Sequence, residues 1–352
     1  MKKRWIIVLI VIPCVVFLAG YAAYSAFLSP PAEPTFTGPT RTVTDMASQK
    51  VKIPATPDGI LSMSAAATDT IIALGAGNRL SGVGMNSKYF PNTAGLRAVG
   101  RRIKRRHISA LGIDMALVPS DHEELLKNTE KLALPAMQVR CQRASQVPEL
   151  IDFLGRFLEL PDRATHLKEQ VTRFMDVAAQ TNERAEKRPK VYLELDRPFM
   201  TVGSGTYPDD LIRLAGGRNV AAGKQGGARM TAEQLKQAQP DVILFVDQFA
   251  TRRSVTRRSG MSELDAVRNG QVYGVKLYWM LPGPSMMKVV SQMRELLGTQ
   301  PLPFEPEQPA ETEEAEKQSE GEQQKPTPEE ADSGPGEELP IPPIEAPAET
   351  RE

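Results

Sequence analysis

The sequence predicts an α/β protein of two similar lobes, and three observations carry that prediction. The segment DTIIALGAGNRL at 69–80 returns as DDLIRLAGGRNV at 209–220, an ungapped offset of 140. A second echo follows each copy, ISALGIDMAL at 108–117 and LKQAQPDVIL at 235–244. Strand-like and helix-like segments alternate around both copies, which implies parallel sheets, and a long stretch of helical apolar spacing separates the two halves. A protein built of two lobes keeps its ligand between them.

Taken in order, VTDMASQKVKIP from Val43 alternates as a short hairpin, and ILSMS at 60–64 reads as a buried strand. AAATDTIIALGAG is a helix stopped by Gly75 and Gly77, LSGVG a short strand and MNSKYFPNTAG a loop. ISALG ends a helix that feeds the strand MALVPS at 115–120. Residues 147–187 form the connector, interrupted near Pro161, with Leu150, Phe153, Leu154, Phe157, Leu158, Leu167, Val171, Phe174 and Met175 as its apolar stripe. The second lobe restarts with strand KVYLEL at 190–195, and DRPFMTVGSGTYP reads as a loop into helix DDLIRLAGG. Asp209 and Asp210 stand at that helix start, where the dipole favours negative charge. Helix TAEQLKQAQ, strand DVILFV, helix SELDAV, strand QVYGV and a last helix over 285–297 complete the lobe. The domain limits follow: N-terminal lobe 41–146, connector 147–187, C-terminal lobe 188–300.

Two segments flank this body. Residues 5–28 run without a charge after Lys2, Lys3 and Arg4, longer than a signal-peptide core, and read as a single-pass membrane anchor within segment 1–28. The rest is then extracytoplasmic, or released to the periplasm if the segment is cleaved. A Pro-rich spacer occupies 29–40. Of 43 acidic and 43 basic side chains, 16 and 3 fall in residues 301–352, so 27 and 40 remain in residues 1–300. The tail is acidic, rich in Pro and Glu, and too poor in apolar residues to offset its ordering entropy, so it reads as disordered. The body is basic. Cys14 and Cys141 are the only cysteines, which leaves no disulfide for the exported part.

Six blocks, LSMSAAATDTIIALGAGNRLSGVG, ISALGIDMALV, TYPDDLIRLAGGRNVA, AEQLKQAQPDVILF, AVRNGQVYGV and PGPSMMKVVSQMREL, resemble in order those of the periplasmic binding proteins for vitamin B12, ferric siderophores and haem. The opening VTDMASQKVKIP is similar to the hairpin of the iron-complex members. The resemblance spans about residues 41–298. It implies two Rossmann-like lobes bridged by one long helix, a metal chelate in the cleft, and an ABC permease with its ATPase as partners.

Catalysis has little support. His107, His122 and His166 show no metal-ligand spacing, and no Ser-His-Asp or paired-carboxylate constellation stands out, so neither an enzyme nor a bound cofactor or metal is expected. GSGT at 203–206 lacks the Lys-Ser/Thr pair of a phosphate loop and reads as a Gly-rich turn. Nucleic acid is excluded by the want of a recognition motif, and a monomer is expected. Ligand contacts belong on loops at the carboxyl ends of the strands. In the first lobe these are Ser64, Asn86, Tyr89, Arg101 and Arg102, the last two within RRIKRR; in the second, Asp196, Arg197, Phe199, Asp247, Gln248, Phe249, Tyr278 and Trp279. Aromatic faces and guanidinium forks suit a bulky planar or anionic chelate. RRIKRR alternatively reads as a solvated patch or a contact for anionic lipid.

Transport members that the chain resembles carry one docking glutamate per lobe. Glu233 matches in the second lobe, whereas alignment of the echoes puts Arg106 in the first. The sequence therefore supports an extracytoplasmic solute-binding protein that delivers a chelate to an importer, and leaves a transport-inactive sensor or scaffold of the same fold as the alternative.

Overall fold

A computed structural model describes residues 38–304, so the expected anchor at 5–28 and nearly all of the acidic tail lie outside the described residues. Among the described residues no helix is long and apolar enough to cross a membrane. The chain opens with the antiparallel hairpin β1 (Thr40–Thr44) and β2 (Lys50–Pro54). Asp45 closes its turn by accepting from the backbone of Ala47 and Gln49 at 2.9 and 2.8 Å, and its other oxygen accepts from Gln138 N at 3.0 Å. That second bond docks the hairpin on β7.

The N-terminal half is a five-stranded parallel sheet in the order β5-β4-β3-β6-β7. Its elements run β3 (Ile60–Ser62), α1 (Ala65–Ala73), β4 (Leu80–Gly84), β5 (Ala98–Val99), α2 (Arg105–Leu111), β6 (Met115–Pro119), α3 (Glu123–Lys131) and β7 (Ala136–Val139). Two helices follow, α4 (Val147–Phe157) and α5 (Pro161–Glu183). The C-terminal half is a four-stranded parallel sheet in the order β10-β8-β12-β13. It comprises β8 (Lys190–Glu194), β9 (Met200–Val202), α6 (Tyr207–Leu214), β10 (Arg218–Asn219), β11 (Gly227–Arg229), α7 (Ala232–Ala238), β12 (Val242–Val246), α8 (Arg252–Thr256), α9 (Asp265–Arg268), β13 (Val272–Val275) and α10 (Met286–Leu297).

The internal repeat is structural. Strands β3 and β8 hold the same place in their sheets, flanked by β4 or β10 on one side and β6 or β12 on the other. The first echo is α1 and α6, each stopped by a glycine at positive φ, Gly75 at 74° and Gly216 at 81°. The second echo is α2 into β6 and α7 into β12, where Gly112 and Gln239 provide left-handed caps. Its aspartates do the same work in both halves. Asp114 accepts from Asp58 N and Gly59 N at 3.2 and 3.1 Å, and Asp241 from Lys190 N at 2.6 Å, so each ties the start of the neighbouring central strand.

Several elements differ from the sequence reading. The stretch after β8, expected to be a loop, contains β9, which pairs antiparallel with β11 in a separate two-stranded sheet. SELDAV is split into a 3-10 turn at Met261–Glu263 and the short α9. The connector, by contrast, has the interruption expected near Pro161 and consists of two helices. Glu159, at φ 62°, breaks it, and α4 turns back to pack on α5. Gly155 permits that approach, since a Cβ there would stand 2.1 Å from the Ala164 Cβ. The apolar stripe is as expected: Leu150, Phe153, Leu154, Phe157, Leu158, Val171 and Phe174 are buried in one cluster that also contains Met115, Leu211, Leu244 and Met293. Leu302 and Phe304, assigned to the tail by composition, pack against this core, Phe304 edge-on to Phe174 at 5.2 Å. At the base of the C-terminal half the buried Arg294 donates to Leu214 O, Gln300 O and Asn182 Oδ1 at 2.9, 2.6 and 2.9 Å. These acceptors at helix ends stand where a counter-ion would otherwise be needed.

Candidate functional site

In each parallel sheet the loops that leave the carboxyl ends of the strands share one edge, and these loops meet between the halves. On the N-terminal side residues 85–90 follow β4. A buried hydroxyl network holds them: Thr68 Oγ1 lies within hydrogen-bond distance, 2.9–3.1 Å, of Ser62 Oγ, Ser64 O and Ser87 Oγ, and Thr93 Oγ1 donates to Ser87 O at 3.0 Å. Ser64 itself accepts from Ala67 N and caps α1. Its hydroxyl is committed to the helix, which sequence position alone does not reveal.

On the C-terminal side the loops after β12 and β13 come to the same place. Gln248 Nε2 donates to Tyr89 Oη across the gap, and the rings of Phe90 and Tyr278 stand 6.0 Å apart. Among the described residues Met85 and Phe249 are the large apolar side chains left exposed, one from each half, at 45% and 46%. Asn86 is also exposed beside Met85. Trp279 is buried, and its indole Nε1 has no partner among the described residues. Thus Tyr89, Gln248 and Tyr278 of the expected set come together, joined by Phe90 and Met85, which the sequence reading left out.

The cations at this edge of the C-terminal half are compensated. Lys276 pairs with Asp247 at 2.6 Å and Arg197 with Asp196 at 3.6 Å. Arg258 Nη1 lies 2.6 Å from both oxygens of the buried Glu194, and its guanidinium stands 5.7 Å from the centre of the Phe199 ring. Glu194 also accepts from Phe199 N at 3.0 Å and Tyr192 Oη at 3.2 Å. Phe199 is held at φ 63°, a conformation costly for a bulky residue, between this bond and one from Met230 N to its carbonyl at 3.0 Å.

Two further ties cross between the halves below the rim. Asp69 of α1 accepts from Ser285 N at 2.8 Å. Gly283 permits this approach, because a Cβ there would lie 2.2 Å from Asp69 Oδ2. Burial pushes the Asp69 carboxyl up to about 6, against the opposing bond from Ser285. Arg143 grips Asp210 with Nε and Nη2 at 2.7 and 2.6 Å, and Ala144 N adds a bond at 3.1 Å. Burial alone would raise Asp210, but the bonds from Arg143 and Arg213 outweigh it and hold the carboxyl below its usual range. Asp209 accepts from Asn219 Nδ2 at 2.8 Å. The turn at 203–206 therefore leads into a helix start filled by the chain's own carboxylates.

Arg101 and Arg102 are placed apart from this rim. They are exposed and line a groove with Asp121, His122, Lys127 and Asn128, to which the C-terminal half contributes no residue. Arg106 and Glu233 occupy the second residue of α2 and of α7, both exposed, so the repeat presents opposite charges at equivalent positions.

Two parallel α/β sheets thus present their carboxyl edges to one another. Residues 114–277 match the periplasmic binding protein family model. It is 24% identical over 265 residues to an uncharacterised ABC transporter substrate-binding lipoprotein of Bacillus subtilis, covering 72% of this chain and 84% of that one. It is 26% identical over 246 residues to a vitamin B12-binding protein of Vibrio cholerae, covering 66% and 87%. The periplasmic haem-binding protein of a Roseiflexus species shares the fold with a TM-score of 0.62, at 23% identity, over 68% of this chain and 97% of that one.

Proposed function

We propose that this chain is an extracytoplasmic solute-binding protein. It captures a metal chelate of the corrinoid, haem or iron-siderophore type between its halves and delivers it to an ABC importer. The observation that carries the reading is the rim where Tyr89 and Phe90 of one half meet Gln248 and Tyr278 of the other, flanked by the exposed Met85 and Phe249. Aromatic and apolar faces from both sides suit a large flat ligand. The names of the relatives, vitamin B12-binding and substrate-binding lipoprotein, support it. Residues 5–28 act as the anchor that keeps the domain at the outer face of the membrane.

Trp279 provides the test. In a Trp5→Phe chain it is the remaining tryptophan, and its place at the rim makes its emission a reporter of binding. Titration with cyanocobalamin, haem and ferric siderophores is expected to quench it with one of the three, and the same ligand to raise the melting temperature. No response to any of the three would overturn the chelate reading.

Arg101 and Arg102 lie in a groove of the N-terminal half alone, so replacing both with alanine is expected to change chelate affinity less than about twofold in the same titration, the signature of exposed charge. A loss of tenfold or more would bring them into the ligand's immediate surroundings.

Docking is expected to be one-sided. Glu233 presents a carboxylate to the permease, and Arg106 opposes any cation at the equivalent point, which costs rather than stabilises. Glu233→Lys is expected to abolish stimulation of the importer's ATPase, and Arg106→Glu to preserve or increase it. The transport-inactive reading rests on Arg106, and absence of stimulation by the unaltered chain with the permease encoded beside it would favour that reading.

A further inference from the structure

We propose that the corner of the N-terminal half formed by Arg97, Arg101, Arg102, Lys104, Arg105 and Arg106 is a docking surface for anionic lipid headgroups. All six side chains are exposed, and none forms an ion pair among the described residues. The fold does not ask for this charge. At the equivalent place in the other half, α7 begins with a Thr231 and Gln234 capping box and carries Glu233 in its first turn. Helix α2 instead begins with Arg105 and Arg106 and has no acid there, against the direction of its dipole. The crowding reaches His107, whose imidazole burial lowers first and Arg106, Lys104 and Arg97 lower further, and whose Nδ1 accepts from Lys104 N at 3.3 Å. The patch is also held in shape. Ile103, in its middle, is buried in a core cluster and donates from its backbone to Asn128 Oδ1 at 2.8 Å.

An unpaired, rigid cationic plate that weakens its own helix start calls for an external anion. The bilayer is the nearest extended one, given the anchor reading of residues 5–28, on which this inference rests. The spacer at 29–39 spans at most about 40 Å, so the domain meets the headgroups at high effective concentration. Each basic residue close to an anionic surface adds about a fivefold preference. The contact also has a direction. Helix α2 starts from the carboxyl edge of its sheet, the edge that carries Tyr89, so headgroup contact at this corner turns the rim toward the membrane.

The full chain, with Cys14→Ala and Cys141→Ala, is labelled with a fluorophore at Ala110→Cys on α2 or, as control, at Ala185→Cys near the amino end of β8. It is reconstituted into vesicles containing headgroup-nitroxide lipid. Flotation with neutral vesicles reports the apolar run alone and keeps failure of the anchor reading separate. In phosphatidylcholine with about a third phosphatidylglycerol, the label at 110 is expected to be quenched and the label at 185 spared. High salt, or Arg101→Glu, Arg102→Glu and Arg105→Glu together, is expected to return quenching at 110 to the level of pure phosphatidylcholine, whereas lysine at the same three positions retains it. Equal quenching at both labels, or quenching indifferent to lipid charge, overturns the proposal and assigns the patch to a protein partner or to solvent. If the chain fails to float with neutral vesicles, flotation with the anionic ones takes over as the readout, and its loss in the glutamate variant is then required.

Discussion

Replacing Arg258 with methionine is expected to lower the stability of the folded chain by about 3–5 kcal/mol, because it leaves Glu194 as a buried charge without its cation. Glu194 is 1% exposed and Arg258 18%, so water offers little relief to either. The remaining donors, Tyr192 Oη and Phe199 N, do not replace a guanidinium held 2.6 Å from both carboxylate oxygens. Adding Glu194→Leu to Arg258→Met is expected to recover most of the loss, since an apolar pair avoids the desolvation penalty. Urea unfolding of the parent and the two variants at pH 7.5 measures both effects. An Arg258→Met midpoint within experimental error of the parent would show that Glu194 is hydrated.

The buried Asp69 leads to an effect of opposite sign. Its carboxyl stands near 6 in the folded chain against 3.8 for an ordinary aspartate. Between those values the folded state holds a proton that the unfolded chain has released, so stability falls as pH rises through the window and the penalty is complete above it. The whole difference corresponds to about 3 kcal/mol. Asp69→Asn retains an oxygen to accept from Ser285 N without the charge, so it is expected to exceed the parent by about 1–3 kcal/mol at pH 7.5 and to match it near pH 4, less any loss from its unpaired amide hydrogens. Unfolding across pH 4–8 tests it. Parallel pH profiles for the two chains would place Asp69 in contact with water. Because Asp69 joins α1 to the segment before α10, its ionisation also bears on how firmly the halves are held.

Much of this architecture is legible in the sequence for local reasons. Helix stops, strand alternation and the connector's apolar stripe are set by residues a few positions apart, and the internal echo supplies the matching order of the two sheets. The positions of Tyr89, Gln248 and Tyr278 at strand ends follow from the rule that parallel sheets present their carboxyl edges to a ligand. The features that the sequence leaves unread lack a local signal. β9 and β11 are three residues each and meaningful only as a pair. Ser64 looks like a rim hydroxyl until it is seen capping α1. Arg101 and Arg102 follow the edge strand β5 and line a groove made of N-terminal residues alone.

Residue patterning thus sufficed for the class of fold, the repeat and the family resemblance, because each depends on periodicities and blocks that survive along the chain. Only the folded molecule decides which charges are neutralised. Arg143 meets Asp210 across 67 residues, Arg258 meets Glu194 across 64, and Ser285 meets Asp69 across 216. No property of either partner's neighbours specifies such pairs. They arise when two sheets and the helices between them pack into a common core, and burial then makes a carboxylate depend on the donor that faces it.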